Sequence, residues 1–281
     1  MESIRAVTPI RPAAAYIGGK RRLAEMIARR IEAMPHDLYA EPFIGMGGIF
    51  FRRRSAAKVE VINDISRDVV TLFRILQRHY PQFMETLKYQ ITSRADFNRL
   101  ETTDPSTLTD LERAARFLYV QRLAFGGKVS GRNYGVDLYT SAGFDVSKLG
   151  PLLADIHDRL CRVSIECLGW SEFIERYDTP GTLFYLDPPY WGSEASYGGG
   201  VFDRADFAHL ADRLSGIKGR FILSINDVPG TREVFARFVV EPVMTRYTMA
   251  GGAGSEFGEL LVMGPGNDAA LFEVPRDLLS I

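Results

Sequence analysis

The chain lacks any run of the ~20 apolar residues a membrane-spanning helix needs, although 46% of its 281 residues are hydrophobic. Its first residues lack the apolar segment of a secretory signal, so a cytoplasmic protein is expected. Cysteine is scarce. Cys161 and Cys167 have no metal-ligand spacing and are expected to be packed thiols, as suits a reducing compartment. The four histidines are scattered and suggest no metal site. Internal repeats and low-complexity tracts are absent. A net charge of −1 does not advertise a polyanion as partner. The distribution of charge says more: residues 1–60 carry eleven Lys/Arg against six Asp/Glu. Residues 116–136 carry Arg116, Arg122, Lys128 and Arg132 with no acid among them. Such local surfaces can follow a phosphate backbone, and solvated helix faces are the plain alternative.

What is present fits one large α/β domain with a modest insertion. The most informative stretch is Thr182-Leu-Phe-Tyr-Leu-Asp-Pro-Pro-Tyr-Trp191. Leu183 to Leu186 is a short apolar run that reads as a buried strand. Pro188 and Pro189 stop it, because neither can donate to a sheet ladder and each fixes φ. One carboxylate, Asp187, is thereby held on a stiff turn at the carboxyl end of a strand, with Tyr190 and Trp191 beside it. Ligands of open α/β sheets sit in that crevice. A strand that ends in such a turn by chance is the competing explanation.

Before this stretch the chain alternates strands and helices. Ala15-Tyr-Ile-Gly-Gly-Lys-Arg-Arg22 leads into an amphipathic helix over Lys20 to Met34, with Leu23, Met26, Ile27 and Ile31 on one face. A phosphate-cradling P-loop is excluded, since Ala14 and Arg21 stand where it requires glycine and Ser or Thr. A glycine turn that brings Lys20 near an anion remains. Asp37 to Gly48 reads as a strand, a glycine-rich turn and the start of a helix near Ile49. Gly45 and Gly47 match two glycines of a dinucleotide fingerprint, but Phe50 replaces the third. Lys58 to Asn63 is the next strand, and Asp64 at its tip is placed for the hydroxyls of a ribose. Capping of a helix over Ile65 to Gln77 is the other reading of Asp64.

From Tyr80 to Leu149 the alternation stops. A helix over Leu111 to Phe125 precedes Phe125-Gly-Gly-Lys-Val-Ser-Gly-Arg-Asn-Tyr-Gly135, a basic glycine-rich loop. Residues 80–149 therefore read as an inserted module and 125–145 as its exposed contact loop. Lys128 and Arg132 can meet phosphates or guanine edges, Asn133 adenine, and Tyr134 can stack on a base. An ordinary surface loop is the alternative. Strands then resume at Arg162–Leu168, Leu183–Leu186 and Arg220–Asn226. The last pair, 238–248 and 259–263, flanks a loop at Gly251–Ser255 and should close the parallel sheet as an antiparallel hairpin.

Taken in order, Tyr16-Ile-Gly-Gly-Lys20, Glu41-Pro-Phe-Ile-Gly-Met-Gly47, Val61-Ile-Asn-Asp64, Asp187-Pro-Pro-Tyr190 and Glu259-Leu-Leu-Val262 resemble the DNA adenine methyltransferases of the Dam type. The resemblance spans Ala15 to Gly264, with residues 80–149 matching in placement only. It implies a mostly parallel Rossmann-like methyltransferase sheet with a terminal antiparallel hairpin and a small, mainly helical inserted recognition module. The expected division is a catalytic domain from 13–79 and 150–265, and a target-recognition module at 80–149. It further implies transfer of a methyl group from S-adenosylmethionine to the exocyclic amine of adenine in a specific double-stranded DNA sequence. Tyr16, Lys20, Phe43, Gly45, Asp64, Trp170 and Asp187 are the implied cofactor contacts, and Asp187, Pro188 and Tyr190 the implied catalytic group. A bacterial or phage origin fits the family, and a cognate restriction endonuclease is an admissible partner. The insertion lacks clear counterparts of the family's base-reading residues, so no target sequence is implied.

That amine is a weak nucleophile because its lone pair is delocalised into the ring. Acceptors at its two N–H groups, the Asp187 carboxylate and the Pro188 carbonyl, can favour the pyramidal form that attacks. A stacked base is out of reach, so flipping is expected, with Tyr190 and its neighbour Trp191 against the extruded ring. Two alternatives stay open. One is methyl transfer to another planar amine, in cytosine, an RNA base or a glutamine amide. The other is an inactive DNA-binding module on the same fold.

Overall fold

The computed structural model describes residues 5–20, 23–135, 143–198, 200–247 and 255–264. Arg21, Arg22, residues 136–142 of the expected contact loop and residues 251–254 of the glycine loop lie outside them.

The strands are β1 (Arg5–Ala6), β2 (Leu38–Glu41), β3 (Ser55–Ala56), β4 (Val59–Asn63), β5 (Val163–Glu166), β6 (Thr182–Leu186), β7 (Arg220–Asn226), β8 (Val239–Tyr247) and β9 (Ser255–Met263). The helices are α1 (Ala24–Ala33), α2 (Arg67–Arg78), α3 (Tyr80–Leu87), α4 (Arg94–Thr102), α5 (Asp110–Leu123), α6 (Val146–Leu160), α7 (Trp170–Tyr177), α8 (Arg204–Ser215) and α9 (Pro229–Val234). Seven strands form one sheet in the order β5-β4-β2-β6-β7-β9-β8. The first five of that order run parallel, and β9 is antiparallel to both β7 and β8. This is the mostly parallel sheet with a terminal hairpin that the resemblance implied.

Successive strand residues point to opposite faces. Leu183 and Tyr185 belong to the core under α1, α2, α5 and α6, whereas Phe184 and Leu186 belong to the core under α7 and α8. Burial on both faces explains why β6 is an unbroken apolar run. In the insertion, α5 starts at a capping box of Thr109 and Glu112 and packs on α2, so its buried face shares one core with α1 and the sheet.

Several boundaries differ from the sequence reading. α1 is assigned from Ala24, with the Lys20 carbonyl accepting from Leu23 and Ala24. The helix expected near Ile49 is a single 3₁₀ turn at Phe50–Arg52. α2 has Ser66, not Asp64, at its N-cap position. Both cysteines are exposed rather than packed, because Cys161 follows the last turn of α6 and Cys167 lies just past the edge strand β5.

Register aligns the carboxyl ends of β2, β4, β6 and β7 along one rim of the sheet. Because β9 runs the other way, its pairing Asn226↔Glu259 brings Glu259, midway along it, to that same rim.

Candidate active site

At the end of β6, the Asp187 side chain keeps 22% exposure, while Lys20 is buried beside it. Lys20 Nζ lies 2.8 Å from Asp187 Oδ1, and Ser224 Oγ of β7 donates to the same oxygen at 3.4 Å. Ser224 is in turn held by Tyr185 at 2.8 Å. Burial pushes the Asp187 carboxyl up to about 6, with Lys20 opposing the shift and Glu259 adding to it. Burial acts to lower the Lys20 ammonium, but the Asp187 and Glu259 carboxylates outweigh it and hold it above its ordinary value.

Tyr190 completes the cluster. Its hydroxyl accepts from Lys20 Nζ at 2.7 Å and donates to Glu259. The ammonium also sits 4.1 Å from the centre of the Tyr190 ring. Pro188 and Pro189 are both buried, and of the two it is Pro189 that lines the adjoining cavity. Trp191 does not join Tyr190. Asn226 clamps its backbone at 2.9 and 3.1 Å, Arg204 covers its ring at 4.0 Å, and Phe207 packs 4.9 Å away.

A cavity of about 1260 Å³ opens along the rim. Tyr16, Lys20, Phe43, Gly45, Asp64, Trp170 and Asp187, the seven expected cofactor contacts, all line it. Gly45 has φ +48°, and a Cβ there would meet the Tyr16 ring at 3.0 Å, so the loop closes on Tyr16 only with glycine. Phe43, Trp170 and Phe202 form an aromatic wall, with ring centres 5.9 Å (Phe43 to Phe202) and 6.3 Å (Trp170 to Phe202) apart. Asn63 ties this wall together, donating to the carbonyls of Pro42 and Leu168 at 3.0 Å and accepting from Leu168 N at 2.8 Å.

Burial raises three carboxylates on the rim above their ordinary range. Asp64 accepts from the backbone N–H of Gly45 at 2.9 Å and of Ser66 at 2.8 Å, yet burial still pushes it up to about 6. Glu41, at the end of β2, accepts from Tyr39 at 2.6 Å, and burial pushes it up to about 8. Asp187 is the third. Glu41, Ser224, Phe202 and Glu259 were missed as site residues. Only Glu41 and Glu259 carried a sequence signal, standing at the head of their motifs.

A second cavity of about 330 Å³ lies between Tyr190, Ser193 and Tyr197 on one side and Tyr16 to Gly19 with Gly126 on the other. Tyr16, Ile17, Gly18, Gly19 and Tyr197 line both cavities and form the partition between them. Of the expected DNA contacts, Lys128 and Asn133 are exposed beyond Gly126. Arg132 donates to Lys128 O at 3.2 Å and Gln121 Oε1 at 3.3 Å and so braces its own loop. The Tyr134 ring packs 5.3 Å from Phe97 with Arg94 over it at 4.6 Å, a different use from stacking on a base. Phe125 is the exposed aromatic here, at 69%. Arg116 and Arg122 are spent on Asp68 and on backbone carbonyls, so the basic stretch is largely structural.

Residues 16–249 match the family model of the D12 class N6 adenine-specific DNA methyltransferases. The chain belongs to this family. As a D12 class enzyme it is an N6-adenine DNA methyltransferase, and methyl transfer requires a methyl-donor cofactor and a DNA substrate. It is similar to the type II methyltransferase M1.LlaDCHI of Lactococcus lactis subsp. cremoris, 26% identical, covering 92% of this chain and 96% of that one. It is also similar to the type II methyltransferase M.CviBI of Paramecium bursaria Chlorella virus NC1A, 21% identical, covering 88% and 96%. The Retron Ec67 DNA adenine methylase of Escherichia coli is 22% identical, covering 85% of each chain. No helix among the described residues of this methyltransferase is long and apolar enough to cross a membrane.

Proposed function

We propose that this methyltransferase takes its methyl group from S-adenosylmethionine and places it on the N6 amine of an adenine flipped out of a specific double-stranded sequence. The observation that carries the cofactor reading is one rim cavity lined by Phe43, Trp170, Phe202, Asp64 and Glu41, whose buried carboxyl is pushed up to about 8. A carboxyl in that condition gains by meeting a cation. S-adenosylmethionine fits, being cationic at its sulfonium and its α-amino group. When bound it supplies an electrophilic methyl group.

The residues divide the work. Asp64 holds ribose hydroxyls, the Phe43–Trp170–Phe202 wall takes the adenine ring, and Tyr16, Lys20 and Glu41 serve the methionine end. Both contacts on the Asp187 carboxylate fall on Oδ1, which leaves Oδ2 to accept an N–H of the target amine. The Pro188 carbonyl takes the other N–H. As the nitrogen bonds to the methyl carbon, the sulfur–methyl bond would break to leave a neutral thioether, positive charge would develop on nitrogen beside the anionic Asp187, and the amine would then pass one proton by way of Asp187 Oδ2 to solvent. Tyr190, lining the smaller cavity, offers its ring to the extruded base.

In the same proposal, residues 13–79 and 150–265 form the catalytic unit and 80–149 the recognition module. Lys128 and Asn133 approach the duplex, and Phe125 is positioned to press on the stack that the base leaves. Two relatives bear the name type II methyltransferase, which extends the proposal to a cognate restriction endonuclease.

The test is transfer of labelled methyl from S-adenosylmethionine to unmethylated duplex DNA, with nucleosides resolved by mass spectrometry. N6-methyladenine at one recurring sequence supports the reading. Label on cytosine, or none on DNA with the cofactor bound, overturns it.

A further inference from the structure

The Lys20 ammonium has three protons and three neighbours: Asp187 Oδ1 at 2.8 Å, the Tyr190 hydroxyl at 2.7 Å and Glu259 Oε2 at 3.4 Å. Glu259 is buried, takes the Tyr190 hydroxyl on one oxygen, and among the described residues has no hydrogen bond on the other beyond that ion-pair approach. It lines neither cavity. A buried carboxylate without substrate contact is costly unless it is paired. Here it is paired with the two groups that in turn hold Asp187 and the ring expected to meet the base. Its place is not accidental. The Asn226↔Glu259 register of the antiparallel β9 is what carries an acid to the rim of a parallel sheet.

We propose that Glu259 is a positioning residue of the methyl-transfer site, anchoring the Lys20 ammonium and the Tyr190 hydroxyl so that Lys20 is shared between two carboxylates and Asp187 keeps Oδ2 for the target amine. This rests on the reading of Asp187 given above. Without Glu259, Lys20 would settle wholly on Asp187 and the Tyr190 hydroxyl would lose the acceptor that fixes its ring. Small displacements of that kind cost rate rather than affinity.

The groups facing Asp187 are Lys20 ahead of α1, Tyr185 on β6, Ser224 on β7, Glu259 on β9, Glu41 on β2 and Tyr197 beyond β6. Of these, Glu259 is an anion that raises Asp187, so its neutral isostere shifts the acid limb of the pH–rate profile downward.

The test compares wild type, Glu259→Gln, Glu259→Asp, Tyr190→Phe and the Tyr190→Phe/Glu259→Gln double variant in steady-state and single-turnover methylation of duplex DNA. Glu259→Gln is expected to lower kcat by about 10- to 100-fold with KM for S-adenosylmethionine within about twofold of wild type. Its acid limb should move down, whereas Glu259→Asp, which keeps the charge, should lower kcat with the limb in place. The double variant should lose less than the product of the two single losses, since Tyr190 and Glu259 share one hydrogen bond while Glu259 also holds Lys20. A kcat within twofold of wild type, an unmoved limb in Glu259→Gln, or losses that multiply in the double variant would overturn the proposal. Asp187→Asn, run alongside, separates the two claims. Near wild-type rate there removes the underlying reading, whatever Glu259 does.

Discussion

Lys20 Nζ and Asp187 Oδ1 stand 2.8 Å apart, joining the glycine turn that precedes α1 to the turn that follows β6. The pair is buried on the lysine side and open on the carboxylate side, so the charge is held rigidly yet remains available to a substrate. Four expected outcomes follow from this site and its surroundings.

Asp187→Ala should lower methyl transfer by about 10²–10³-fold while cofactor and DNA binding stay measurable, because its acceptor role is realised in the transition state. Single-turnover rates beside equilibrium titrations check this.

In the proposed mechanism the ionised form of Asp187 is the active one, and burial pushes its carboxyl up to about 6. Activity should therefore be full above that pH and fall as pH drops through it. Lys20 pulls the value down, so Lys20→Met should move the acid limb to higher pH. A rate profile from pH 5 to 9 reads the direction.

Glu41 stands at about 8 before a cation arrives. The proposed binding of S-adenosylmethionine beside it should favour its carboxylate, so affinity should rise with pH between about 6 and 8, with release of a proton. Calorimetry in buffers of different ionisation enthalpy measures that proton. Glu41→Gln should remove the pH dependence in this range.

Lys128→Ala should weaken duplex binding and reduce the slope of log K against log salt by about one contact. Arg132→Ala should instead loosen the loop, since its guanidinium is engaged by Lys128 O and Gln121. If salt slopes are unchanged in both variants, the DNA lies elsewhere. Fluorescence anisotropy at three salt concentrations is enough.

Away from the site, Glu60 pairs with the buried Arg53 and Arg159, which accounts for a carboxyl held below its ordinary range against the upward effect of burial. Glu60→Gln leaves two buried guanidinium groups uncompensated and should cost about 3–5 kcal/mol in urea unfolding. A depressed folded-state value also means that this stabilisation is present at neutral pH and is lost on acidification.

Much of the site was legible because its parts are local signals. The strand-proline turn at Asp187, the glycine turn at Lys20 and the acid after β4 can each be recognised within a few residues. Lys20, Asp64 and Asp187 reach one cavity wall because the parallel register of β2, β4 and β6 puts all strand ends on one rim. Tyr134 and Trp191 show what a local signal leaves open. An aromatic in a polar loop looks available for stacking, but whether Arg94, Phe97, Arg204 or Phe207 already covers it depends on helices distant in sequence. The cysteines erred likewise, since apolar neighbours along the chain do not make a position internal at a helix end or an edge strand.

By itself the sequence determined the order of strands and helices, the stiff turn that carries Asp187 and the glycines that let Gly45 close on Tyr16. These follow from short-range sterics, periodicity and the missing N–H of proline. Only the tertiary structure decided which charges meet. Glu259 reaches Lys20 because β9 runs antiparallel to β7, Glu41 is raised because the burial of its strand end outweighs the pull of Arg53, and Arg132 turns inward because Gln121 of α5 is there to receive it. Electrostatic partnership depends on distances in space, and those exist only once the sheet has set its register.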